Sequence, residues 1–83
     1  MFDLHDRLRR IYSGETVFHP IDVTLYALRE FHKDALHFLE AESNGYLERV
    51  SVHRESRTGE RLYDNVPILG GLTLKGMREI GVA

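Results

Sequence analysis

The 83-residue chain has no cysteine, no tryptophan and only two prolines. Without cysteine it can form no disulfide framework, thiolate zinc site, iron–sulfur cluster or cysteine nucleophile, which fits a reducing compartment. No apolar run approaches the roughly 18 residues of a membrane span. Asp3, His5 and Asp6 break the apolar stretch that a signal peptide needs. The expectation is a cytoplasmic protein with no membrane partner. An excess of one charge is also missing, since 11 Lys and Arg against 13 Asp and Glu leave a net charge of −2. That argues against a strongly basic nucleic-acid-binding tail. What is present is ordinary globular composition, 42% hydrophobic and 29% charged. It is enough for one core, in a chain too short for two, so residues 1–83 are expected to form a single domain.

Local signals divide the chain into short elements. Asp3 suits an N-cap, Leu4, Leu8 and Ile11 recur on one helical face, and Gly14 supplies a left-handed end. Thr16-Val17-Phe18 is a β-prone run cut off by His19-Pro20, and Pro20 suits the first turn of a following helix. From Ile21 to Ser43 the apolar residues Ile21, Leu25, Leu28, Phe31, Ala35, Leu36, Phe38 and Leu39 keep helical spacing. The spacing fits one long helix or two. Two are expected, dividing near Ala27 to Glu30, with Asn44-Gly45 as the terminus.

After Gly45 the period falls towards 2. Tyr46 to His53 reads as a strand with Val50 and Val52 on one face, Arg54 to Arg61 as a polar loop, and Leu62 to Leu69 as a second strand. Pro67 suits an edge or a bulge better than a central rung. Thr73 can cap a last short helix ending at Gly81 and packed through Leu74, Met77 and Ile80. Gly76 inside it costs about 1 kcal/mol relative to Ala.

Helix, short strand, helix, helix, strand, loop, strand is the order of a winged helix, three helices closed by a β-hairpin. Two stretches carry a resemblance. Lys33-Asp34-Ala35-Leu36-His37-Phe38-Leu39, followed by Gly45-Tyr46-Leu47, looks like the end of a third helix and the start of the next strand. Leu72-Thr73-Leu74-Lys75-Gly76 looks like the Leu-Thr-x-x-Gly start of the helix after the wing. Over roughly residues 27 to 80 the chain resembles the YjcQ-like winged-helix proteins, small bacterial and prophage-encoded domains. Glu42-Ser43-Asn44 makes the connection before Gly45-Tyr46 longer than in that family. The resemblance implies an α+β winged helix-turn-helix with a short C-terminal helix, and a phage or prophage setting. It implies no particular activity.

If the fold is a winged helix, its third helix is the element laid in the major groove. Its exposed positions would be Glu30, Lys33, Asp34, His37, Glu40 and Ala41, and Lys33 with His37 could read base edges. The charge map opposes this. Residues 1–14 and 51–83 each carry +1, whereas residues 15–50 carry −4, and carboxylates repel the phosphates that supply most DNA affinity. Arg54, Arg57 and Arg61 form a better contact, a basic cluster whose charge Glu55 and Glu60 reduce to one. Arg7, Arg9 and Arg10 form a second basic spot, which reads somewhat better as arginine stems covering apolar surface.

Two functions follow. The first is a small DNA-binding regulator, using Lys33, His37, Arg54, Arg57 and Arg61 on double-stranded DNA, with homodimerisation to pool charge. The second is a protein-interaction module that presents Glu30, Asp34 and Glu40 to a basic host or phage partner. Fold precedent favours the first and charge the second. Catalysis is not expected, because no Gly-rich phosphate loop or nucleophile elbow is present and Glu40 and Glu42 face apart on a helix. Neither metal nor cofactor is expected. His32 and His37 are five apart, unlike the i, i+4 pair of a zinc-binding helix, and the other three histidines stand alone.

Overall fold

A computed structural model describes residues 2–83. Helix α1 (Leu4–Tyr12) begins where the Asp3 carboxylate accepts the Asp6 N–H, and it buries Leu8 and Ile11. The chain turns at Gly14, whose φ of +109° needs glycine, into strand β1 (Val17–Phe18). Helix α2 runs unbroken from Leu25 to Ser43, followed by strands β2 (Leu47–Val50), β3 (His53–Arg54) and β4 (Tyr63–Leu72), and by helix α3 (Leu74–Glu79). The result is an α+β fold of three helices and an antiparallel sheet in which β4 is central. β1 pairs with one side of β4, and β2 and β3 with the other. No described helix is long and apolar enough to cross a membrane.

The single α2 corrects the expectation of two helices before the hairpin, leaving three helices in all. The start of α2 is fixed by a local cap. Asp22 accepts both the N–H and the hydroxyl of Thr24, at 2.9 and 2.6 Å, and the Thr24 hydroxyl accepts the Ala27 N–H. That cap holds residues 19–24 out of the helix, so Pro20 starts nothing. Beyond it no Gly or Pro interrupts 19 residues whose buried positions, Ala27, Leu28, Phe31, Ala35, Phe38 and Ala41, form one continuous stripe. Ile21, Leu25 and Leu36, placed in the apolar stripe by spacing, are exposed, and Ala41, expected on the exposed face, is buried in the core.

The core joins Phe31, Ala35, Phe38 and Ala41 of this stripe to Leu8 and Ile11 of α1, Phe18 of β1, and Leu47, Val50, Val66, Ile68 and Leu72 of the sheet. The second strand reaches three residues past Leu69, because Gly70 and Gly71, both at positive φ, form a bulge between the Leu47↔Leu72 and Arg49↔Leu69 pairs. Pro67 does lie in the central strand. It sits opposite the gap between β2 and β3, where Ser51 N–H still reaches its carbonyl at 3.0 Å. α3 is capped by Thr73, whose hydroxyl accepts the Gly76 N–H and donates to the Gly45 carbonyl. Gly76 is there for space: a Cβ on it would collide with the Tyr46 carbonyl.

Candidate functional site

The residues singled out by sequence fall on two neighbouring regions. Lys33, His37, Glu30 and Asp34 share one face of α2 and, with Phe2, line a surface depression of about 320 Å³. Lys33 donates to Glu30 at 2.9 Å, and this hydrogen bond holds its ammonium above the ordinary lysine range. The His37 ring stacks on Phe2, centroids 5.0 Å apart. Asp34 is half-buried and faces Arg7 at 3.9 Å. Glu40 lies further along, where it lines a smaller hollow with Phe2, Leu4, His37, Ala41 and Asn44. The groups proposed to read DNA and those proposed to repel it are thus interleaved, and the one cation is closed on its own carboxylate.

The loop between β3 and β4 is built around a carboxylate. Glu55 is only 4% exposed. It accepts the N–H groups of Arg57, Thr58 and Leu62 and the Thr58 hydroxyl, all between 2.8 and 3.0 Å. The Thr58 N–H is the strongest of several influences that bring the Glu55 carboxyl down to about 2, against the opposing effect of burial. Two contacts fasten this loop to α2. Arg29 pairs with Glu60 at 2.9 Å, and His32 Nδ1 accepts the Tyr63 N–H at 3.0 Å.

The arginines here have unequal fates. Arg54 donates to the Arg61 carbonyl at 2.6 Å and to the Tyr63 hydroxyl at 3.0 Å, with its guanidinium 4.3 Å from the Tyr63 ring centroid. It is a loop staple. Arg57 and Arg61 are exposed, and among the described residues neither side chain has an ion pair. Arg61 holds a φ of +55°, alone among described non-glycine residues. Of the α1 arginines, Arg7 pairs with Asp6 and Arg10 with Glu15, at 2.6 and 2.7 Å, so Arg9 is what remains of that basic spot.

A third region was not legible in the sequence. Between α1 and α2 a cleft of about 210 Å³ opens over Phe18, Phe31 and Phe38, with Arg7 and Arg10 on one side and Glu30 and Asp34 on the other. Its lip is the segment that the Asp22–Thr24 cap keeps non-helical. Ile21 on this lip is 95% exposed, and the neighbouring Val23 and Tyr26 are 64% and 76% exposed. Large apolar side chains crowded into six residues at such exposure are unusual outside contact surfaces. The available signal was Asp22-Val23-Thr24, a side-chain cap placed after Pro20.

Compared with known proteins, the chain matches no family model, no curated protein and no solved structure at a significant level. The likeness to YjcQ-like proteins therefore stands on the quoted residues alone. Among the described residues, no three His, Asp or Glu side chains converge as a metal site requires.

Proposed function

We propose that this chain is an abridged winged-helix domain that works as a protein-interaction module, with residues 21–26 and the adjoining cleft as its contact surface. The sheet supports the winged-helix part: β4 lies between β1 and β2, and the hairpin that it forms carries the 55–62 loop as a wing. The chain departs from that pattern where a second helix would stand, because residues 19–24 are non-helical.

The observation that carries the interaction reading is the 95% exposure of Ile21 beside a cleft floored by three phenylalanines. Burying exposed apolar area is the main driving force for association, and a solvated isoleucine at a cleft mouth has most to gain. The acidic α2 face contributes less than its formal charge. Glu30 is paired and Asp34 is half-buried, which leaves Glu40 as its free carboxylate.

Photocrosslinking in native cells tests this reading. With p-benzoylphenylalanine in place of Tyr26, irradiation should yield a protein adduct. The same group in place of Arg57 should yield none. No adduct at 26 would contradict the reading.

DNA binding through the wing is the second reading, favoured by Arg57 and Arg61 on a loop held rigid by Glu55. Two cations give a shallow salt dependence, with log K falling by about 0.9 per phosphate neutralised for each tenfold rise in salt. Titration of generic duplex DNA at about 50 and 200 mM salt tests it, and absence of binding at the lower salt removes it.

A further inference from the structure

Three successive carbonyls just past the end of α2 hold the start of α3. Lys75 Nζ donates to the Asn44 carbonyl at 2.6 Å, the Thr73 hydroxyl to the Gly45 carbonyl, and the Thr73 N–H to the Tyr46 carbonyl at 3.1 Å. The hinge that docks the last helix is thus built on an Asn-Gly pair. We propose that Asn44-Gly45 is a self-modification site, where the chain converts Asn44 to isoaspartate and so releases α3. The inference is independent of the contact surface at residues 21–26.

The chemistry needs these two residues and water. The Gly45 nitrogen attacks the side-chain carbonyl carbon of Asn44. The new N–C bond closes a succinimide ring, the attacking nitrogen gives up its proton, and the side-chain nitrogen leaves as ammonia. Water then opens the ring at either carbonyl, giving aspartate or isoaspartate. Isoaspartate adds a methylene to the main chain, so the spacing of the three carbonyls is lost. Met77 and Ile80, packed against the core from α3 and its end, then lose their seat. Asn44 is placed for this reaction. Its side chain is exposed and makes no hydrogen bond among the described residues, and Gly45 puts no side chain over the attacking nitrogen. The restraint is the Gly45 N–H bond to the Glu42 carbonyl at 2.9 Å, at a helix end, where local opening costs least. The chain has one other amide side chain, Asn65, and it is placed badly: its oxygen is buried and the branched Val66 follows it.

Peptide-mapping mass spectrometry of the purified full chain, aged in mildly alkaline buffer, tests the proposal. Isoaspartate should accumulate at position 44 and not at 65. In guanidinium chloride, where fraying no longer limits attack, conversion of Asn44 should be on the order of tenfold faster. Amide exchange across residues 74–80 should rise in the modified fraction. Asn44→Ser removes the amide and keeps the helix end, because Ser13-Gly14 closes α1 in the same way, with Ser13 at φ −77° and ψ −2° against −80° and 0° for Asn44. This variant should age with its 74–80 exchange unchanged. An Asn44 still intact in the folded chain after about a hundredfold the time that converts it in denaturant overturns the proposal. So does modification at 65 as fast as at 44, a modified chain whose 74–80 exchange matches the fresh one, or a serine variant that loses protection on ageing as the wild type does.

Discussion

His32 accepts the backbone N–H of Tyr63 at 3.0 Å while its ring stacks on the Tyr63 ring, centroids 4.9 Å apart. One residue of α2 thereby fixes the first residue of the central strand and the exit of the wing. Nδ1 as acceptor requires the neutral Nε2–H tautomer. His32→Ala leaves the part-buried Tyr63 N–H without its partner, which should cost about 1 kcal/mol. A urea midpoint lowered without change in slope is the expected result, together with faster amide exchange across residues 55–62.

The Glu55 carboxylate gives the wing an acid limit. Its ordinary value of 4.5 falls to about 2 in the folded chain, chiefly through the Thr58 N–H. A depressed carboxyl stabilises the fold above the unfolded value and loses that contribution as pH falls through the folded one. Wild-type stability should therefore decline between about pH 4.5 and pH 2. Glu55→Gln should be less stable at pH 7 and flatter across that window. A variant with the wild-type slope would show that other groups set the acid limit.

At Gly76 two effects oppose each other. Helix propensity alone would have Gly76→Ala stabilise by about 1 kcal/mol. A Cβ at this position meets the backbone carbonyl of Tyr46, and backbone moves less readily than a flexible side chain. Overpacking of this kind costs about 1–3 kcal/mol, so the melting temperature should fall.

At Arg61 the opposite result is expected. A non-glycine residue at a φ of +55° is strained, and the Arg54 bond to its carbonyl needs no Arg61 side chain. Arg61→Gly should be neutral or stabilising, by up to about 1 kcal/mol, in thermal unfolding. Marked destabilisation would show that the side chain has a structural role.

Much of the fold was legible where one residue acts through its own neighbours. Asp3, Gly14, Asn44-Gly45 and Thr73 all mark element ends as expected, because caps and left-handed turns are local devices. The continuity of α2 was not legible. Helical spacing looks the same across Ala27 to Glu30 whether one helix or two runs there, and the deciding Asp22–Thr24 contact lies upstream. The candidate sites were least legible. Lys33 and Arg54 stand out in the sequence for their charge, yet Glu30 three residues away and the Arg61 carbonyl seven residues away already occupy them. Ile21 fits the apolar spacing and Tyr26 does not, yet both are exposed. Whether an apolar residue is covered depends on what lies above it in space, and among the described residues little covers Ile21 or Tyr26 although Ala27 and Leu28 beside them are buried.

Photocrosslinking in native cells from position 26 against position 57 separates the lip of the cleft from the wing. A protein adduct is expected from 26, none from 57, and loss of the 26 adduct when Ile21→Asp is added. Adducts from 57 alone, or crosslinking to nucleic acid, would contradict it and make the wing the working surface.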